Sequence, residues 1–112
     1  MSLAMPTIAE WHQFAVRTGV VVRAEPNEAA RHPAFRLWID FGDLGILQSS
    51  AKITDHYRPE TLVGTQVVAV TGFPPLHVAG FRSDVLVLGA VTDGGVVLVR
   101  PDQPVAPGST IA

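Results

Sequence analysis

The sequence predicts an all-β domain with short helices, closed as a small five-stranded Greek-key barrel with an N-terminal helix and a C-terminal extension. Two observations predict it. Short Val-, Ile- and Leu-rich runs recur between turns that contain Gly or Pro, the pattern of a sandwich or barrel. A short helical insert separates the third strand from the fourth, the arrangement of an OB fold.

The elements follow in order. Thr7 with Glu10 three residues later is a capping-box pattern, and Pro6 suits the approach to a helix. Ile8, Trp11, Phe14 and Ala15 then recur at helical spacing, which predicts a helix over Ile8–Ala15 with one apolar stripe. So short a helix does not hold alone, so Trp11 and Phe14 are expected to dock on something. Val16–Ala24 is Val-rich and reads as a strand ended by Pro26 and Asn27. In Phe35–Phe41 the residues Phe35, Leu37, Ile39 and Phe41 alternate with Arg36, Trp38 and Asp40, so the first set faces a core and Trp38 needs cover. Gly42–Gly45 turns the chain into Ile46–Ala51, and Asp40 and Asp43 read as turn chemistry, not as an acid/base pair. Ile53–Tyr57 reads as one helical turn and Pro59–Leu62 as another, ended by Gly64. Val67–Thr71 is a strand. Phe73-Pro74-Pro75 cannot continue a central strand, because proline donates no N–H. Val78–Phe81 reads as one short extended piece and Val85–Ala90 as a strand. Asp93-Gly94-Gly95 turns into Val96–Arg100, and a proline-rich tail ends in an extended piece at Thr110 and Ile111.

The chain has 112 residues, enough for one domain. Residues 8–112 are expected to form it, with residues 1–7 as an N-terminal segment in which Met1–Ala4 precede a native start at Met5. Hydrophobic residues make up 47% against 16% charged, which excludes disorder. No apolar run approaches the ~20 residues of a membrane span, no signal-peptide pattern is visible, and no membrane insertion is expected. Cysteine is absent, which excludes disulfides and thiolate metal sites. A cytoplasmic protein is expected. The net charge of -2, with Lys52 the one lysine, weighs against a dedicated nucleic-acid binder. His12, His32, His56 and His77 show no metal-ligand spacing, and no nucleophile elbow, P-loop or dinucleotide fingerprint occurs. No metal, no cofactor and no catalysis are expected.

Val67–Val70 and Val85–Leu88 are apolar at consecutive positions, so both faces of these strands must be covered. A second copy of the chain is the economical cover, with Trp11, Phe14, Trp38, Val85 and Val87 as its contact residues. The alternative is that the N-terminal helix and the tail fold over these strands within one chain.

Several runs taken together resemble the CsaA family, bacterial and archaeal proteins described as export-related molecular chaperones, within the tRNA-binding domain superfamily. They are Arg17–Val21, Trp38–Gly42, Gln48–Thr54, Val70–Pro75 and Val78–Gly89. The resemblance implies an OB fold, a homodimer, and two equivalent hydrophobic clefts that take unfolded or presequence-like peptides. This chain departs from the pattern at Asp55, His56, Gly72, Leu76 and His77, where relatives tend to carry basic residues or Asn.

Three groups are candidates for a peptide or tRNA site. Gln48, Ser49 and Ser50, with Lys52 beyond them, could bond a ligand backbone; the alternative is a solvated strand end. Phe73, Pro74 and Pro75 could form an apolar cleft wall, or only block edge pairing. Phe81, Arg82 and Ser83 set an aromatic beside a cation and a hydroxyl, which could stack a base, line a pocket, or be a core Phe beside a surface Arg. The expected function is an ATP-independent chaperone for unfolded or precursor polypeptides, with a structure-specific tRNA-binding protein as the alternative.

Overall fold

The structure is a computed structural model and describes residues 4–112; the expectation for Met1–Leu3 lies outside them. The capping box forms at Thr7: the Glu10 N–H donates to Thr7 Oγ1 at 3.2 Å and the Thr7 N–H to Glu10 Oε1 at 3.0 Å. Helix α1 (Ile8–Trp11) starts there but is shorter than the Ile8–Ala15 expected. Ala15 is already paired with Thr71 as the first residue of strand β1 (Ala15–Pro26), and the ladder overrides the helical spacing. The helix buries none of its residues, and Ile8 is 74% exposed.

Strands β2 (Phe35–Asp40) and β3 (Ile46–Ala51) form the predicted hairpin around a 3-10 turn, with the Gly42 N–H donating to Asp40 Oδ1 at 2.8 Å. Helix α2 (Pro59–Leu62) and β4 (Gln66–Thr71) follow. Next come β5 (Leu76–Val78), β6 (Phe81–Ser83), β7 (Leu86–Val87), β8 (Gly89–Thr92) and β9 (Gly95–Leu98). The main sheet is antiparallel in the order β3-β2-β1-β4-β7. β1 pairs with β4 over Ala15–Val20 and with β2 over Val20–Pro26, and its register shifts between Val21 and Arg23. Such a bulge bends a strand and sharpens its twist. Here it lets one long strand serve both halves of a strongly curled half-barrel. Phe35, Leu37, Ile39 and Phe41 all face the interior, as their alternation predicts, with Val21, Val67, Ala69 and Leu98. Leu62 carries α2 into the same core and is fully buried.

Three elements differ from expectation. Ile53–Tyr57 contains a turn and no helix, and the Tyr57 hydroxyl accepts from the Leu98 N–H at 3.0 Å. Val78–Phe81 is the tip of a hairpin, with Ala79 and Gly80 at φ 49° and 78° between β5 and β6. Positive φ at both central residues suits a two-residue hairpin turn. Val85–Ala90 is interrupted at Leu88, whose N–H donates to Val68 O while its carbonyl accepts from Val99.

The outer face of β4 is covered by the chain itself. Val16, Val68 and Val70 form a second buried cluster with Leu88 and Ile111 packed against it. The tail is strapped along β1: Gly108 N–H donates to Thr18 O, Thr18 N–H to Ser109 O, and Ile111 N–H to Val16 O. The strap comes close to the β2–β3 turn, where a Cβ on Gly108 would fall 2.3 Å from the Phe41 carbonyl oxygen. The tail part of the fold-over alternative therefore describes β4, whose four apolar side chains need no second copy, whereas the N-terminal helix covers none of them. No helix among the described residues is long and apolar enough to cross a membrane.

Gly19 lies where β1 crosses the core. A Cβ there would fall 2.5 Å from Ile39 Cγ2 and 2.9 Å from Phe41 Cε1, both on fully buried side chains. Overpacking of this kind costs about 1–3 kcal/mol. Gly19→Ala is expected to lower the thermal midpoint by several degrees, measured by circular dichroism; an unchanged midpoint would refute this packing.

Candidate functional site

The site is built around a seam. β3 does not join a continuous ladder with the chain that follows β6. One backbone hydrogen bond, from Asp84 N–H to Gln48 O at 2.8 Å, is supplemented by four that use a side chain. Asp84 Oδ2 accepts from the Gln48 N–H at 2.9 Å, and Gln48 Nε2 donates to Arg82 O at 3.1 Å. Ser49 Oγ donates to Val85 O at 3.2 Å, and the Ser50 N–H donates to Ser83 Oγ at 3.1 Å. Arg82 Nε bonds Asp84 Oδ1 at 2.9 Å and orients the carboxylate. Gln48, Ser49, Arg82 and Ser83 therefore close the barrel. Ser49 is fully buried and does not face a ligand. Asp84, which sequence reasoning passed over, is the centre of this network.

The register of the β5–β6 hairpin pairs Leu76 with Ser83 and Val78 with Phe81, which puts these four on one face, and His77 with Arg82 on the other. The first face covers the outside of β2. Phe81 is buried with its ring centroid 5.3 Å from that of Trp38 and with the Arg36 guanidinium 5.4 Å above it. Arg23 caps the Trp38 ring at 4.4 Å. This is the cover that Trp38 requires, and it comes from the same chain. Phe81 is thus the core aromatic of the alternatives and is not open for a base to stack on, while Arg82 sits on the surface in its ion pair.

Beside the hairpin is a cleft of about 540 Å³. Phe73 and Pro74 form one wall, Leu76 and Val78 another, and Val85 and Leu86 a third, with Ser50, Ser83 and Asp84 as its polar edge. Of the expected site residues, Phe73, Pro74, Ser50 and Ser83 line it. Pro75, Gln48, Ser49, Phe81 and Arg82 do not, and Lys52 lies at a neighbouring pocket. Leu76 and Leu86 were missed, although Leu76 is 70% and Leu86 55% exposed. Reading Ala79-Gly80 as a hairpin turn would have found Leu76 and Val78 on one face. The contact residues expected for a second copy divide in the same way. Val85 is buried in the core, Val87 packs against it and Trp38 is covered by Phe81. Trp11 and Phe14 stay 40% and 49% exposed, in a chain of rings that reaches Phe73 through centroid distances of 6.3 Å and 6.3 Å.

Asp55 and His56 lie against Gly95 and Gly94 of the β8–β9 turn, not at the cleft. Among the described residues no group of three or more His, Cys, Asp or Glu gathers to hold a metal ion.

The chain matches, over residues 16–110, the family model described as "Putative tRNA binding domain". It is similar to the crystal structure of chaperone CsaA from Bacillus anthracis, at 50% identity and TM-score 0.92, covering 97% of this chain and 100% of that one. The CsaA chaperone protein of Picrophilus torridus is 40% identical at TM-score 0.91, covering 96% and 100%. A methionine–tRNA ligase of Methanothrix thermoacetophila is 36% identical over 96 residues, which are 86% of this chain and 14% of the ligase. The chain thus spans a small part of the curated relatives it matches.

Asp84 joins two elements that lack a full ladder, and its side chain is 13% exposed. Hydrogen bonds to charged groups contribute about 1.5–3 kcal/mol each. Asp84→Ala is expected to lower unfolding stability by about 2–4 kcal/mol in a urea titration; a change within experimental error would show that the seam holds without it.

Proposed function

The chain belongs to the CsaA family within the tRNA-binding domain superfamily, and from that membership we propose that it is an ATP-independent molecular chaperone that holds unfolded polypeptide segments. The observation that carries this reading is the cleft beside the β5–β6 hairpin, whose walls are six apolar residues and whose polar groups stand at one edge. Ligand sites of this kind are mostly apolar with a few placed polar groups. The hydroxyls of Ser49 and Ser83 donate to the Val85 carbonyl, and the neighbouring Asp84 carboxylate is taken up by the Gln48 N–H and Arg82, which supports passive binding and not catalysis.

A tRNA-binding role is the second reading, favoured by the family model and the ligase relatives. Among the described residues, Arg23, Arg36, Arg58 and Arg82 are already in ion pairs, and this leaves few cations for phosphates. Any tRNA affinity is therefore expected to be weak and to fall steeply with salt.

The working form is proposed to be a homodimer. The apolar stripe of Ile8, Trp11 and Phe14 is exposed, and it continues to Phe73 at the cleft wall.

Stoichiometric protein is expected to suppress aggregation of a denatured client, with micromolar affinity. Leu76 is 70% exposed, so Leu76→Asp leaves the core intact. Burial of a Leu side chain contributes about 1.5–3 kcal/mol, so this variant is expected to bind roughly tenfold more weakly or worse. Unchanged aggregation with wild-type protein, alongside a tRNA mobility shift at low salt, would replace the chaperone reading with the tRNA one.

Sedimentation equilibrium is expected to give twice the monomer mass at micromolar concentration, and Trp11→Asp to return the monomer. A wild-type monomer would remove the dimer.

A further inference from the structure

The β5–β6 hairpin has an edge that no described part of the chain takes up. Val78 and Phe81 flank its two-residue turn, so they form a hydrogen-bonded pair. Antiparallel pairs alternate, so His77 and Arg82 form a non-hydrogen-bonded pair whose main-chain N–H and C=O groups point away from the hairpin. Those of Arg82 point towards β3, where its carbonyl accepts from Gln48 Nε2 at 3.1 Å. Those of His77 point the opposite way, and among the described residues neither bonds another part of the chain. β5 is thus the open side of a two-stranded sheet. Two other edges are covered within the chain: the strap takes Val16 and Thr18 of β1, and the seam takes β3. The open edge borders the cleft, because Leu76 and Val78, the neighbours of His77 in β5, both line it.

We propose that this edge receives an extended polypeptide segment as an added strand, with the cleft taking every second side chain. This rests on the peptide-binding reading above and adds how the segment is held. Strands pair ~4.8 Å apart and successive side chains face opposite ways, so a chain paired with His77 lays alternate side chains beside Leu76 and Val78. The side chains between them face outward with that of His77. Main-chain hydrogen bonds of this kind hold any sequence, and the cleft selects only for alternate apolar residues. The site is complementary to an uncharged main chain: the His77 groups are neutral, and the Asp84 carboxylate is already taken up by Gln48 and Arg82. The edge is also short. Pro75, two residues before His77, has no N–H, and the Ala79-Gly80 turn ends the strand. Short edges interrupted by proline resist pairing between sheets. One N–H and one C=O remain, enough to align a segment without templating a longer sheet. A second copy joined here edge to edge would meet over a three-residue strand. That is ~10 Å of chain, too little for the ~1,000 Å² of a stable interface.

The test titrates the wild-type protein, by fluorescence anisotropy, with a labelled and C-terminally amidated peptide Ser-Leu-Ser-Val-Ser-Phe-Ser in three forms. One is unmodified, one is N-methylated at the two inner serines, and one is N-methylated at the valine and the phenylalanine. With the apolar side chains in the cleft, the serine amides face β5 if the segment runs antiparallel, and the amides of the apolar residues face it if the segment runs parallel. A methyl group on an amide that faces β5 removes a donor and stands between the strands. One methylated form is therefore expected to bind roughly tenfold more weakly than the unmodified peptide, and the other to lose less than about twofold. Equal losses, or no loss in either form, overturn the proposal. On the protein, His77→Pro removes the outward N–H, and proline is tolerated on an edge strand whose N–H faces solvent. This variant is expected to bind the unmodified peptide about three- to tenfold more weakly. Wild-type affinity in a variant with an unchanged circular dichroism spectrum overturns the proposal; if the variant does not fold, the methylated peptides on wild-type protein decide. Tied methylated peptides together with a His77→Pro variant that loses the dimer mass in sedimentation would give the edge to a second copy and also overturn it. If the unmodified peptide does not bind, the peptide-binding reading fails and takes this inference with it; if it binds and the methylated forms tie, that reading stands and only this inference falls.

Discussion

Asp84 holds together two parts of the barrel that backbone pairing alone leaves joined by one hydrogen bond. Its carboxylate accepts from the Gln48 N–H and from Arg82, while its own N–H donates to Gln48. Everything on the ligand side depends on this. The seam fixes where β6 ends and β7 begins, and so sets Ser83, Val85 and Leu86 along the cleft. It also presses the hairpin onto β2, where Phe81 and Trp38 pack edge to face. Aromatic pairs of this geometry contribute ~0.5–1.5 kcal/mol beyond their burial. The hairpin is thus pinned at its inner face by rings and at its end by a carboxylate. Leu76 is left reaching out over open space.

The distribution of apolar surface follows from chain economy. β4 presents four buried apolar residues on two faces, and both faces are satisfied within one chain: the barrel interior takes Val67 and Ala69, and the C-terminal strap shields Val68 and Val70. Thr18 makes the strap possible. Its N–H, its carbonyl and its hydroxyl all bond the segment 106–109, so a buried polar residue carries no unsatisfied group there. The N-terminal helix has no such partner. Its capping box is complete, yet a four-residue helix gains little by itself. Its stripe therefore remains as surface, and that surface runs through Phe14 to Phe73 at the cleft.

Much of the fold was legible because it is written in periodicity. Phe35 to Phe41 alternate with period two and are the core; Thr7 and Glu10 announce a helix start; the helical insert before β4 announces the barrel. What was not legible depends on which partner a residue finds. The extent of α1 was overread because Trp11 and Phe14 have helical spacing, but pairing of Ala15 with Thr71 decides where the helix stops. Val85 and Leu86 are neighbours in an apolar run and both line the cleft, and nothing local says that Val85 is buried in the core while Leu86 stays 55% exposed. The same holds for Gln48, Ser49 and Ser50. Three polar residues in a strand suggest a ligand, but a barrel that closes without a full ladder has its own need for hydrogen bonds there.

The charges lost relative to the family pattern bear on ligand choice unequally. Asp55 and His56 face the β8–β9 turn, and His77 lies on the outer face of the hairpin opposite Arg82, so none of the three alters the cleft. Leu76 alone does. Its apolar side chain extends the apolar wall of the cleft. The polar groups at the cleft edge are Ser50, Ser83 and Asp84, and the Asp84 carboxylate is already taken up by the Gln48 N–H and by Arg82, so the cleft offers a ligand apolar walls and hydrogen-bonding groups and no unpaired charge.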